Sequence, residues 1–250
     1  MTKTENWQGT EIELDIEKVA HGGIFVARHQ GRVVFVSHTA PGEKVRARVF
    51  EDKGGSFCRA ETIAVLDASG SRVPHIWKEA DRLGAGGAEF GHLKLEYQRK
   101  LKSEVLTESL SRMGGIQREV LVMPVPGDEI TNGLGYRTRI QLHVSEEGVA
   151  GPYKERTHEV VPVKSLPLAV PEINELGIHL KNWQDVKRIE ISTASTGGVQ
   201  WFIDKKVKGD KKLVERALGR SFRISSGGFW QVHRGAAELL AQEVIQMAEG

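Results

Sequence analysis

The chain has 250 residues, of which 39% are hydrophobic and 27% are charged. This balance excludes a disordered chain, and the length favours two domains, each with its own core. A formal net charge of +2 excludes nucleic-acid binding by bulk charge alone but leaves room for local basic stripes. The single cysteine, Cys58, excludes an internal disulfide and any metal site built mainly from thiolates.

The sequence carries no sign of a membrane or of export. No apolar run approaches the roughly 18 residues of a membrane span. The first residues lack the order of basic and then apolar residues that is typical of a signal peptide. We therefore expect a protein of the reducing cytoplasm with no membrane partner. The histidines show no HxxxH or HxH spacing, so we also expect no metal site.

The first third of the chain alternates apolar and polar residues with the period of β-strands. Glycines lie at the breaks between these segments, where tight turns need them. Five short strands joined in this way favour a small closed barrel of the OB type, which hides the strand edges. The predicted strands are 11–18, 24–28, 32–36, 44–50 and 57–66.

The rest of the chain mixes helical and strand patterns. A helical stripe runs from Leu93 to Met113 and ends at a Gly-Gly pair. We predict a short helix over Lys211–Leu218 and an amphipathic final helix over Ala236–Ala248. Further strands are predicted at 137–144, 158–163, 186–192, 199–203 and 222–225, with a helical stretch at 171–180.

Basic residues of the barrel form the first candidate site. A barrel with basic strands and aromatic side chains is how OB-type modules hold single-stranded nucleic acid. The alternative is a solvated outer face whose charge is cancelled by neighbouring acidic residues. The candidates are Arg32, Arg46, Arg48, Lys53 and Arg59, with Phe35, Phe50 and Phe57 as stacking platforms.

Short motifs in a fixed order give the chain a family resemblance. Residues 16–27 and 31–36, followed by Pro41-Gly42-Glu43, resemble a TRAM domain, the OB-fold RNA-binding module of many RNA-modifying enzymes. The remainder of the chain is similar to the S-adenosyl-L-methionine (SAM)-dependent RNA uracil-C5 methyltransferases. The later motifs are Gly84–His92, Gly135–Arg139 and Phe222–His233.

The resemblance implies an α+β multidomain architecture. We expect a five-stranded OB-type TRAM barrel over residues 1–67 and a mixed central α/β domain with a linker helix over 68–220. Residues 221–250 are expected to begin a truncated Rossmann-like methyltransferase domain. The final helix has an apolar face with nothing after it to cover, so it is expected to self-associate artificially.

The cysteines that hold a [4Fe–4S] cluster in many family members are replaced here. The Cys-Gly-Gly-Cys pair corresponds to Ala85 and Ala88, and the outlying ligand positions correspond to Val73 and Leu166. These side chains offer iron no lone pair, so we expect no cluster and a small apolar packing centre in its place.

The resemblance further implies a cysteine that adds to C6 of uracil and a Gly-rich loop that cradles SAM. Both come after the Phe229–Val232 segment in the family, and neither is found in these 250 residues. We therefore expect the RNA-binding and central parts of a methyltransferase for uridine C5 in rRNA or tRNA, without its catalytic residues. The alternative is a non-catalytic RNA-binding module. Cys58 lies within a barrel strand and is expected to be a buried small hydrophobe.

Several residues in the second half of the chain are candidates for SAM or RNA contacts. Gln231 corresponds to a SAM contact, although it also suits a polar position before a helix. Arg137 and Arg139 belong to the strand that faces RNA in the family, and a salt-bridged sheet surface is their alternative. The same two interpretations apply to Lys154, Arg156 and His158, which form a basic hairpin tip.

Overall fold

The computed structural model describes residues 5–204, 206–225 and 227–249. They form two compact units. The first contains residues up to 81 together with 87–123, and the second contains 82–86 together with the residues from 124 onward. These units do not follow the expected boundaries at residues 67 and 220.

The first unit is built on a closed five-stranded barrel, as the sequence predicts. All ladders are antiparallel except that between β3 and β5, which is parallel and closes the barrel. In the order β1-β2-β3-β5-β4, every strand has two neighbours, so no edge is left open. The strands are β1 (Glu11–Ala20), β2 (Ile24–His29), β3 (Arg32–Ser37), β4 (Lys44–Glu51) and β5 (Phe57–Asp67).

Because apolar and polar residues alternate along each strand, the apolar side chains from one face of every strand fill the barrel interior. The interior holds valine, alanine, leucine and isoleucine side chains, together with Phe25 and Cys58. Helix α2 (Leu95–Gly114) packs against this core through Leu101, which is fully buried. The helix is capped by Gly115, which follows its last residue and whose φ of 65° is a left-handed conformation that suits glycine. Helix α2 therefore belongs to the same compact unit as the barrel.

The second unit contains a five-stranded antiparallel sheet in the order β10-β9-β8-β6-β7. The predicted strands near 137–144, 186–192 and 199–203 are confirmed with small shifts. The predicted strand at 158–163 is wrong, because only one isolated bridge, between Tyr153 and Val160, occurs there. The strands are β6 (Arg139–Val144), β7 (Ala150–Gly151), β8 (Arg188–Thr193), β9 (Val199–Ile203) and β10 (Lys206–Gly209).

Three short helical segments lie between the strands along the chain. Helix α1 spans Lys78–Leu83, which the sequence pattern did not predict. The predicted helical stretch at 171–180 consists of helix α3 (Pro171–Glu175) and a 3-10 helix over Ile178–Leu180.

The predicted helix over Lys211–Leu218 is wrong. Residues Lys212–Ala217 form strand β11, which pairs with β12 (Arg220–Ser225) in a two-stranded hairpin. Its buried residues alternate, with Leu213, Glu215 and Ala217 on one side. The hairpin turns at Leu218 and Gly219, which have φ angles of 51° and 69°, as a two-residue turn of this kind requires.

The chain's final helix, α4, spans Ala236–Glu249 and confirms the predicted helix. Its apolar side chains are largely exposed: Leu240 is 51% exposed and Val244 65%. Assignment of this region to a Rossmann-like domain stays a prediction. Among the described residues, no helix is both long and apolar enough to cross a bilayer.

Candidate RNA-binding surfaces

Strand β4 presents three cations on the outer surface of the barrel. Lys44, Arg46 and Arg48 are exposed and alternate with buried valine and alanine. Across the β1–β4 ladder, the guanidinium group of Arg48 lies 3.0 Å from Glu11, and that of Arg46 lies 3.9 Å from Glu13. Such exposed pairs contribute only about 0–1 kcal/mol, so a phosphate can replace the carboxylate at little cost. The same pairs also suit a charge-balanced outer face.

Next to these cations, the barrel carries an Arg59 patch formed by Phe35, Phe57 and Arg59. The guanidinium carbon of Arg59 is 5.5 Å from the ring centroid of Phe35 and 5.6 Å from that of Phe57. The two rings meet edge to face, and Phe57 is 45% exposed. Register explains the cluster, since Phe35 lies opposite Arg59 in the parallel β3–β5 ladder. The Nε atom of Arg59 also lies 3.3 Å from Glu51 Oε2, so the patch offers a stacking surface together with a cation that is paired to a partly exposed carboxylate.

The prediction that Arg32 contacts RNA is wrong, because Arg32 is buried in an ion pair. Its guanidinium donates to both carboxylate oxygens of Asp52, at 2.7 and 3.1 Å, and lies 4.3 Å above the Trp7 ring. The hydrogen bond from Arg32 holds the pKa of Asp52 well below its usual range, although burial opposes the shift. Arg32 is thus a structural cation. Its inward direction was readable, since it is in phase with buried Val34 and Val36.

In the second unit, Arg137 and Arg139 are half-buried. The Nη1 group of Arg139 donates to the carbonyl of Gly228, and burial lowers the pKa of Arg139 despite the opposing charge of Glu215. The backbone of Arg137 pairs with Leu168 and Val170 at 2.8 and 3.0 Å. Within the described ranges, the side chain of Arg137 has no hydrogen-bond partner. Arg137 therefore suits a phosphate contact better than Arg139, whose guanidinium group already binds a carbonyl.

The other predicted basic pair, Lys154 and Arg156, lies on an exposed loop tip. The Nζ atom of Lys154 is 4.0 Å from the carboxylate of Glu159, a weak and solvated contact. Arg156 has no ion-pair partner among the residues that the structure describes. Both cations are placed where an approaching phosphate can reach them.

Gln231 lies on a segment that is firmly fixed. The backbone of Thr138 donates to the carbonyl of Val232 at 2.8 Å, and the Nε2 atom of His233 is 2.9 Å from Asp128 Oδ1. The backbone N–H of Gly235 donates to His233 Nδ1, so the imidazole is bonded on both sides. The amide of Gln231 is half-buried and has no partner in the described part of the chain. It is therefore free to bind a polar ligand.

The positions expected to replace the iron–sulfur ligands have no metal-binding atoms. Ala85, Ala88 and Leu166 are buried, and Val73 is half-buried. Cys58, the one cysteine of the chain, is also buried, and burial raises the pKa of its thiol. These residues do not fit an iron–sulfur cluster, and none of them supplies a nucleophile.

Three histidines missed by the spacing argument come together in the first unit. His38, His75 and His92 have nearly parallel rings with centroids 6.0–6.2 Å apart. Burial lowers the pKa of His92 to about 4, although its hydrogen bond to the carbonyl of Thr39 opposes the shift. Across the described ranges, no group of three metal-binding side chains has the geometry of a site.

Comparison with known proteins finds one domain match and several similar RNA methyltransferases. Residues 6–61 match the TRAM domain. An uncharacterised RNA methyltransferase of Streptomyces avermitilis is 36% identical over 95% of the chain, and one of Streptomyces coelicolor is 34% identical over the same share. The chain therefore carries a TRAM domain and is similar to these RNA methyltransferases over most of its own length. It spans 64% and 60% of the length of these two relatives.

A solved structure supports the fold. A Pyrococcus abyssi tRNA (uracil-54, C5)-methyltransferase in complex with S-adenosyl-L-homocysteine aligns with a TM-score of 0.64. The alignment covers 93% of this TRAM-domain chain and 64% of that protein, at 18% sequence identity. At this identity, the likeness establishes the fold alone.

Proposed function

We propose that this chain is the RNA-binding part of a SAM-dependent methyltransferase that acts on C5 of a uridine in rRNA or tRNA. The observation that carries the proposal is the outer surface of the TRAM barrel, where the β4 cations lie beside the Arg59 patch. Charge and exposed aromatic rings together are what a single-stranded RNA needs. The cytoplasmic location expected from the sequence fits this function and stays a prediction.

For the cofactor, the chain offers one suitable group. SAM, when bound, supplies the methyl group that is transferred. The free amide of Gln231 fits a hydrogen bond to the polar atoms of such a ligand, and the His233–Asp128 contact fixes the segment that carries it. Cys58 does not fit the nucleophile of the reaction, because it is buried in the barrel and its thiol pKa is raised.

The alternative is a non-catalytic RNA-binding module. It is favoured by one observation, that the single cysteine of the chain is structural. Both functions require RNA binding by the barrel, so that property is the first to measure.

The test is fluorescence anisotropy with a labelled single-stranded RNA between about 50 and 200 mM salt. We expect binding that weakens steeply with salt: the logarithm of the association constant should fall by about 0.7 per neutralised phosphate for each tenfold rise in salt concentration. Arg46→Gln and Arg48→Gln are each expected to lower the salt slope by that amount. Arg28→Gln is the matched control, since Arg28 is an exposed barrel arginine outside β4 whose guanidinium lies 3.8 Å from Glu17.

Undetectable or salt-insensitive binding would contradict the proposal and favour a protein-interaction domain. If RNA binding is observed, transfer of labelled methyl from SAM to uridine C5 by the protein encoded by the full open reading frame separates the enzyme from the module. In that assay, methyl transfer to RNA that is lost when Gln231 is substituted supports the methyltransferase.

A further inference from the structure

The loop that carries Lys154 and Arg156 is a rigid platform in the second unit. The backbone of Lys154 donates to the carbonyl of Glu159 at 2.8 Å, and that of Val161 donates to Pro152 at 2.9 Å. At its base, a Cβ atom on Gly151 would overlap the carbonyl of Val161, so only glycine allows this close approach. The loop conformation is thus set before any ligand arrives.

The segment that bears the replaced cysteine position braces the same loop. The backbone of Gly86 donates to the carbonyl of Tyr153 at 3.0 Å, and that of Glu155 donates to Gly84 at 2.9 Å. Ala85 lies between these two bonds, opposite Lys154. Where the family resemblance implies a metal cluster, the chain uses main-chain pairing to hold Tyr153 in place.

Tyr153 stacks on His143 of strand β6. The two ring centroids are 3.5 Å apart and the ring planes differ by 12°. His158 meets Tyr153 edge to face at 5.2 Å. Burial lowers the pKa of His143, with smaller contributions from Arg188 and His158. His143 Nε2 also lies 2.9 Å from the Gln141 amide, which donates to an unprotonated nitrogen.

This stack is flanked by cations. Arg188 lies opposite His143 in the β6–β8 ladder and forms an ion pair with Glu190. Lys154 directly follows Tyr153 in the chain, and Arg156, which is exposed, lies two residues further on. A neutral aromatic pair beside exposed cations matches a nucleotide, whose base stacks while its phosphates are neutralised.

We propose that Tyr153 and His143 form a stacking site for one unpaired base of the RNA, with Lys154 and Arg156 on its flanking phosphates. The proposal rests on the proposed RNA-binding function and adds a second contact, distinct from the barrel. A paired base is excluded from this role, because its faces are already covered by its neighbours in the helix. Pre-set geometry favours binding, since little order has to be gained.

The test uses the 250-residue chain and a fluorescein-labelled RNA, offered both as a single strand and as a duplex. Tyr153→Leu is expected to lower single-strand affinity about tenfold without changing the salt slope, because stacking neutralises no phosphate. Arg156→Gln is expected to lower the slope by about 0.7 instead. Tyr153→Phe keeps the aromatic ring and is expected to bind RNA with wild-type affinity. This result would show that the leucine variant loses affinity through lost stacking and not through unfolding.

A second measurement uses RNA with 5-bromouridine at single positions, irradiated and mapped by mass spectrometry. Cross-links to Tyr153 or His143 support the site. Failure of the wild-type chain to bind RNA would overturn the proposed function itself. Three results would overturn the stacking site while leaving the barrel surface in place. They are wild-type affinity of Tyr153→Leu for the single strand, the same affinity of the wild-type chain for duplex as for single strand, and competition by polyglutamate as strong as that by unlabelled RNA.

Discussion

Substitution of Asp52 by asparagine tests the buried ion pair of the barrel. The Asp52 carboxylate is fully buried and accepts four hydrogen bonds, two from Arg32 and one each from the backbone N–H groups of Trp7 and Gly54. The Asp52→Asn change keeps the shape but leaves the Arg32 charge unpaired and turns an amide NH₂ towards donors. Breaking a buried pair in this way costs about 3–5 kcal/mol.

That loss is a large part of the roughly 5–15 kcal/mol that stabilises a typical domain. It corresponds to a fall in melting temperature of about 15 °C for a unit of this size. Urea and thermal unfolding followed by circular dichroism measure the change. Arg48→Gln is the matched control, because its Glu11 pair is exposed and worth about 0–1 kcal/mol. A cost for Asp52→Asn no larger than that of the control would refute the reasoning.

The same pair predicts an acid limit. Because the folded pKa of Asp52 is lowered, its contribution is complete above about pH 3.9, the usual aspartate value, and is lost as the pH falls below that value. Wild-type stability should therefore decline in this range, while Asp52→Asn should show less decline. Identical acid profiles for the two proteins would argue against the pair as the cause.

Three further results are expected. Because burial lowers the pKa of His92 to about 4, the stability of the folded protein should decline as the pH drops from about 6.5 towards 4. The difference between the urea midpoints at pH 5 and pH 7 should therefore be smaller for His92→Gln than for the wild type. Elemental analysis of the purified protein should find no iron, since Ala85 and Ala88 cannot bind it; a brown protein would contradict this. The exposed face of α4 should cause concentration-dependent association in sedimentation runs, and Val244→Glu should abolish it. An unchanged association constant would exclude that face.

The barrel was predictable because each strand repeats the same alternation and each break carries a turn residue. The β11–β12 hairpin was not, because the run Lys211–Leu218 consists of good helix formers except for one valine, and its turn residues, Leu218 and Gly219, lack the usual Asn-Gly signature. Pairing with β12 settles the conformation, and no local pattern shows that pairing. The same limit explains α2, whose periodicity was clear but whose packing partner was not.

The candidate sites divide in the same way. The alternation of β4 correctly predicts that Arg46 and Arg48 are exposed. The burial of Arg32 could have been predicted from the alternation of β3, in which Arg32 lies on the same side as the buried Val34. Its partner Asp52 lies 20 residues away, just after strand β4, so the ion pair could be found only from the fold. The stack of His143 on Tyr153 is likewise a tertiary contact, because it joins a strand to a loop ten residues later.

The circular strand order of the barrel has a consequence for how it folds. Three of its ladders join strands that are neighbours in sequence, whereas β3–β5 and β1–β4 join distant ones. We expect a three-stranded meander, β1 to β3, and a hairpin, β4 to β5, to form first by local contacts. The two non-local ladders can form only when these pieces dock, so docking limits the folding rate. Until then both pieces carry unpaired edges, which makes the nascent chain dependent on a fast final closure to escape association with other chains.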